Sequence, residues 1–128
     1  ANSMWLKSRR FIFSPFTNKN DTTEIFEVTQ KTLDSIELDI ESIDVLKIDV
    51  EGYSYEVLKG AKNTIENFLP LIQLEILAKK RIFEIERNKI VNFLEEIGYK
   101  FVKEKKHTTT HIFSDVMCTD LLFIPKKI

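Results

Sequence analysis

Apolar residues follow two rhythms along the chain. Val45, Leu46, Ile48 and Val50 occupy both sides of an extended segment, so IDVLKIDV predicts a strand over about residues 44–50 with helices on both faces. Gly52 breaks it. In the following YSYEVLKGAKNTIENF, Val57, Leu58, Ala61 and Ile65 fall three or four apart, which predicts a helix kinked at Gly60 and closed by Pro70. LIQLEIL is a second apolar strand, ending near Glu75. A longer helix is predicted over residues 83–97, with Ile90, Phe93, Leu94 and Ile97 as its apolar stripe and Gly98 at the C-cap. YKFVKEK reads as a strand, KHTTTHIFSD as a loop or hairpin arm, and CTDLLFIP as a last strand stopped by Pro125.

The first part of the chain is less regular. Residues 1–23 contain RFIF, a short strand, and SPFTNKNDTT, a loop rich in turn formers. EIFEVTQ is β-branched and aromatic enough for a strand, and TLDSIELD is a short helical turn or connector with Thr32 as a cap. The order strand, helix, strand, helix, strand, strand demands a parallel pair joined by a crossover, then an antiparallel pair. The fold class is therefore α/β, in a single domain spanning all 128 residues.

Composition narrows the partners. Hydrophobic residues make up 43 % and charged residues 30 %, enough for a core and a solvated surface. A net charge of −1 gives no general attraction to nucleic acid or anionic membrane, and the basic run LKSRR is read as a solvated segment. No apolar run approaches the ~18 residues of a membrane span, and no signal peptide is visible, so a cytoplasmic location is expected. The only cysteine, Cys118, excludes an intramolecular disulfide. It has no basic neighbour in sequence and is read as a buried, inert thiol.

The candidate chemistry lies in the acids at strand ends. Ligands of open α/β sheets bind beyond the carboxyl ends of the strands. Asp49, Glu51 and Glu75 are placed there, on one rim if the two strands are neighbours. Carboxylates at such a rim orient a hydroxyl, act as a general base or hold a cation, and a helix starting near Tyr53 aims free N–H groups at the same place. The plainer alternative is that these acids are helix caps or dipole partners. His107 and His111 frame HTTTH. Their spacing suits zinc only on a helix, and three threonines oppose one, so no metal site is assigned. The two histidines are read as substrate contacts from a rim loop.

TLDSI, IDVLKIDVEGYSYEVLKGA, PLIQLEI, GYKF and DLLFIP, taken together over about residues 30–125, resemble the C-terminal half of the FkbM-type methyltransferases. The resemblance implies a Rossmann-like class I sheet of seven strands and an S-adenosylmethionine cofactor. It also implies O-methylation of a small-molecule acceptor such as a sugar. By it, residues 47–52 end the fourth strand, residues 72–75 belong to the fifth, and residues 99–103 and 120–125 form the antiparallel sixth and seventh. Asp49 and Gly52 would then border the cofactor, and Asp49, Glu51 and Glu75 the reacting groups. Similar sequences carry an acid where this chain has Ser54; a serine there is expected to cap the helix.

The family's glycine-rich loop has no counterpart among Gly52, Gly60 and Gly98. The expectation is a partial methyltransferase sheet lacking the N-terminal cofactor-binding strands and inactive by itself. The other reading is a non-catalytic remnant or partner-binding module. Without its inner neighbour, the VLKI strand becomes an open edge, expected to pair with a second copy of the chain or to be covered by RFIF or EIFEVTQ.

Overall fold

Period-two burial organises the principal sheet. The structure, a computed structural model, describes residues 7–13, 24–107 and 115–127. In chain order these form β1 (Lys7–Phe13), β2 (Glu24–Gln30), a 3-10 turn (Leu33–Ser35), β3 (Val45–Ile48), α1 (Ser54–Lys59), α2 (Lys62–Phe68), β4 (Leu71–Lys79), α3 (Lys80–Glu96), β5 (Tyr99–His107) and β6 (Val116–Pro125). The sheet order is β3-β4-β6-β5, with β3 and β4 parallel and the other two pairings antiparallel. The expected crossover and the closing antiparallel pair are both present. Among the described residues, no helix is long and apolar enough to cross a membrane.

In register, Leu46 lies beside Ile72, Ile72 opposite Phe123, and Phe123 opposite Phe101. Residues across a ladder share a face, so Ile48, Ile72, Leu74, Ile76, Leu121 and Phe123 present one apolar surface. Leu58, Ala61 and Ile65 from α1, α2 and their junction, and Phe83, Ile90 and Leu94 from α3, close over it in one core. Each such large side chain contributes about 1.5–3 kcal/mol by leaving water. The opposite face carries Lys47, Gln73, Glu75, Leu77, Cys118, Asp120 and Leu122, and none of them is buried. The expectation of helices on both faces of the VLKI strand is thus corrected. Among the described residues, the three helices α1, α2 and α3 pack on one side, and Val45 is 56 % exposed.

Other boundaries shift for local reasons. The first core strand stops at Ile48, because Glu51 and Gly52 both adopt positive φ, 45° and 88°, and turn the chain away. The helix predicted after it is two helices. Gly60 ends α1, Ala61 is the N-cap of α2, and a methyl group at Gly60 would sit 2.9 Å from Thr32 Cγ2. Leu69 holds a left-handed cap just before Pro70. The loop read in SPFTNKNDTT lies outside the described residues.

β1 and β2 pair only with each other, in their own two-stranded antiparallel sheet. They do not cover the β3 edge, which corrects that expectation; among the described residues β3 has one partner, β4.

The TLDSI turn does more than connect. Thr32 caps it as expected, its Oγ1 accepting from Ser35 N at 3.2 Å. Asp34 reaches the start of α2, where its carboxylate accepts from Asn63 N at 3.0 Å, Thr64 N at 2.9 Å and the Thr64 hydroxyl at 2.8 Å. Asp34 N in turn donates to Gly60 O at 2.9 Å. A helix without a cap residue of its own is capped from some thirty positions upstream. At the other end, the buried Tyr99 hydroxyl donates to Pro70 O at 2.6 Å.

Two outcomes follow from these bonds. Asp34→Ala is expected to cost about 2 kcal/mol, read as a fall of roughly 6–10 °C in Tm, with Asp34→Asn retaining part of it. Burial pushes the Tyr99 phenol from 10.0 up to about 12. The fold favours the neutral form, so this stabilisation is complete below pH 10 and lost as pH rises through about 12. Denaturant midpoints between those pH values should therefore fall more steeply for the parent chain than for Tyr99→Phe.

Candidate functional site

The polar residues gather on the open face near the carboxyl ends of β3 and β5; β4 does not end near Glu75 as expected but runs on to Lys79, so Glu75 sits mid-strand beside the end of the shorter β3. Glu75 on β4 lies opposite Asp120 on β6, and Lys105 of β5 faces Asp120 from the other side. Cys118 lies opposite Leu77 and His107. Alternation then puts Glu75, Cys118, Asp120 and His107 on the face away from the helices.

His107 reaches that face because β5 is irregular. The register slips between Phe101 and Lys103, leaving Val102 as an extra residue opposite β6. Tyr99 and Phe101 face the helices before the slip, and Glu104 does so after it, ion-paired to Arg87 of α3 at 3.4 Å. Lys103, Lys105 and His107 thereby turn to the other side. A bulge of this kind re-aims every later side chain of its strand.

A cleft of about 100 Å³ opens here, lined by Lys47, Ile48, Asp49, Gln73, Leu74, Glu75, His107 and Asp120. Three carboxylates face one ammonium, so the cleft favours cationic ligands. Asp120 Oδ2 lies 2.6 Å from His107 Nε2, which holds the imidazole in place. Burial pushes the Cys118 thiol from 9.0 up to about 11; the Glu75 carboxylate, which accepts its S–H, adds to this, as do Asp120 and Asp49. Cys118 is therefore a neutral thiol at pH 7, as the sequence suggested, but it is half-buried on the open face.

Asp49 and Glu75, expected on one rim, both line this cleft, and His107 joins them. Glu51 is not among its lining residues; it is exposed in the turn after β3. His111 lies outside the described residues. Gly52 is accounted for by conformation: its φ is +88°, and a methyl group there would lie 3.1 Å from Leu77 O. Ser54 does not cap α1. Tyr53 is the N-cap, with no side-chain cap bond, while the Ser54 hydroxyl donates to Glu75 O at 2.7 Å and ties the helix start to β4. Sequence reasoning missed Asp120 and the placement of Cys118. MCTD does set them two apart on a strand, which is a same-face spacing.

A half-covered mixed sheet, with a crossover helix pair and an acidic cleft at its carboxyl rim, is a methyltransferase-like arrangement. The sequence model of one family, the methyltransferase FkbM domain, matches residues 2–101, and the chain belongs to that family. The match begins nearer the start of the chain than the resemblance quoted above and ends before β6. No curated protein and no solved structure matches the chain. Methyl transfer is the general activity of this family, and its members generally use S-adenosylmethionine.

The turn gives a pair of opposed outcomes. Glu51→Gly relieves a left-handed backbone at a non-glycine residue and is expected to stabilise the chain by about 0.5–1 kcal/mol. Gly52→Ala is expected to destabilise it by about 1–3 kcal/mol. Chemical denaturation of the two variants checks both signs.

Proposed function

We propose that this chain forms the acceptor-side wall of an S-adenosylmethionine-dependent O-methyltransferase site acting on a sugar or another small hydroxylated metabolite. The observation that carries the reading is the meeting of Asp49, Glu75 and His107 in one cleft at the rim where α/β sheets bind ligands. The carboxylates suit the positive charge of a sulfonium. The space suits only part of the cofactor, because sites for whole ligands of this kind run to about 300 Å³ or more. The proposal therefore includes a cofactor-binding half outside these residues. It is supported by the β3 edge, which has no second partner strand among the described residues, and by the absence of any G-x-G spacing in the sequence.

S-adenosylmethionine supplies an electrophilic methyl group. The chain's own residues orient the acceptor and remove its proton. Glu75 and His107 line the acceptor side. Asp49, exposed just past the end of β3, would accept the proton as the acceptor oxygen bonds to the methyl carbon and the carbon–sulfur bond breaks, with S-adenosylhomocysteine as the leaving group. Ser54 acts indirectly, fixing the β4 backbone at Glu75. The rest of the catalysis is alignment of oxygen with the methyl group.

Calorimetry with S-adenosylmethionine tests the division of the site. The 128-residue chain should bind no more tightly than roughly millimolar. A chain extended N-terminally to include a glycine-rich strand-turn should bind at micromolar Kd and methylate a hydroxyl acceptor. In that extended chain, Asp49→Asn should lower kcat by about 10²–10⁴ with little change in KM for the cofactor. Micromolar binding by the shorter chain would refute the divided site, and an unaltered kcat would remove Asp49 from its role.

A further inference from the structure

We propose that Glu75, His107 and Cys118 bind a zinc-class divalent metal ion. One ligand atom from each, a carboxylate oxygen, an imidazole nitrogen and the thiol sulfur, all lie within 4.8 Å of one another. Tetrahedral zinc bond lengths place such donors about 3.3–3.7 Å apart. Closing around an ion therefore asks each pair to draw in by at most about 1.1–1.5 Å, a movement within reach of side-chain rotation.

The donors come from three different strands, β4, β5 and β6, so the sheet fixes their spacing. Two of them owe their place to specific features of the strands. The bulge at Val102 brings His107 to this face. The Cys118 side chain lies opposite His107 in register rather than in the helix-covered core.

The chemistry of the set selects the ion. One thiolate and one imidazole favour borderline-soft ions such as Zn²⁺ over Mg²⁺ or Ca²⁺, which prefer oxygen alone. On binding, the ion would displace the Cys118 proton to solvent, and carboxylate and thiolate together would then balance the dication. Asp120 lies 2.6 Å from Nε2 of His107 and would serve as the outer carboxylate that orients a metal-bound histidine, with Nδ1 as the coordinating nitrogen. Three protein ligands would leave a fourth position, and two of the donors, Glu75 and His107, line the cleft together with Asp49. That is the pattern of a catalytic rather than a structural zinc site. An acceptor hydroxyl bound there would be acidified by the ion and would yield its proton more readily to a nearby carboxylate.

Cobalt titration of the isolated chain tests the site. Co²⁺ is expected to bind one per chain and to give the near-ultraviolet thiolate-to-cobalt band. Cys118→Ser should abolish the band, and His107→Ala should weaken binding about 100-fold or more. Asp120→Asn should weaken it about 10–100-fold with the band retained. Zn²⁺ should displace cobalt, and excess Mg²⁺ should not. His107 and Asp120 are on the solvent side, so their variants fold even if Cys118→Ser does not. A parent chain without the band, or His107→Ala binding as tightly as the parent, would overturn the site and reduce any uptake to adventitious surface binding. No methyl donor is present, so this outcome is independent of the outcome for methyl transfer.

Discussion

The antiparallel ladder between β4 and β6 is the constraint on which the molecule depends. Its register sets Leu74 against Leu121 and Glu75 against Asp120. One phase of that alternation fills the core beneath three helices, and the other builds the cleft. The two are locked together, since a slip by one residue would expose the core and bury the carboxylates at once. The cleft's geometry is therefore as firmly held as the core, although its own residues are half-exposed.

A second tie holds the parallel side. α1 and α2 have no side-chain cap from their own N-cap residues. Asp34 serves α2 from a distant turn, and Ser54 binds α1 to the β4 backbone. Both bonds link the crossover to other parts of the fold, so the position of the β3 rim relative to β4 is set by side chains as well as by the four-residue ladder from Val45 to Ile48.

Periodicity in the sequence located every described strand of the principal sheet and the long helix α3, but it read α1 and α2 as one helix and ended β4 at Glu75. The Ile90 and Leu94 stripe and the cap at Gly98 can be read from spacing alone, because they express local geometry. The single-sided covering of β3 cannot, since both-face apolarity says which residues are hydrophobic and not what lies over them. Asp49 was legible as a strand-end residue because strand ends are marked by composition, whereas Glu75 lies mid-strand in β4 and meets Asp49 because β3 is the shorter strand. Asp120 and Cys118 were not, because a strand's partner register is a long-range property. Ser54 looked like a cap from its place after a glycine, yet the turn at Glu51 and Gly52 left its hydroxyl aimed at Glu75 O instead.

The bulge at Val102 makes β5 two half-strands of opposite phase joined at one residue. The bulge there, rather than residue identity, governs what the open face contains. Were the ladder to run regularly through Val102, the later half would turn over: Glu104 and Lys106 would enter the open face, and Lys103, Lys105 and His107 would pass beneath α3. The Arg87–Glu104 ion pair would be lost, and an ammonium would stand opposite Cys118 in place of the imidazole. Gain or loss of such a bulge offers a route by which otherwise similar sheets could acquire different ligands.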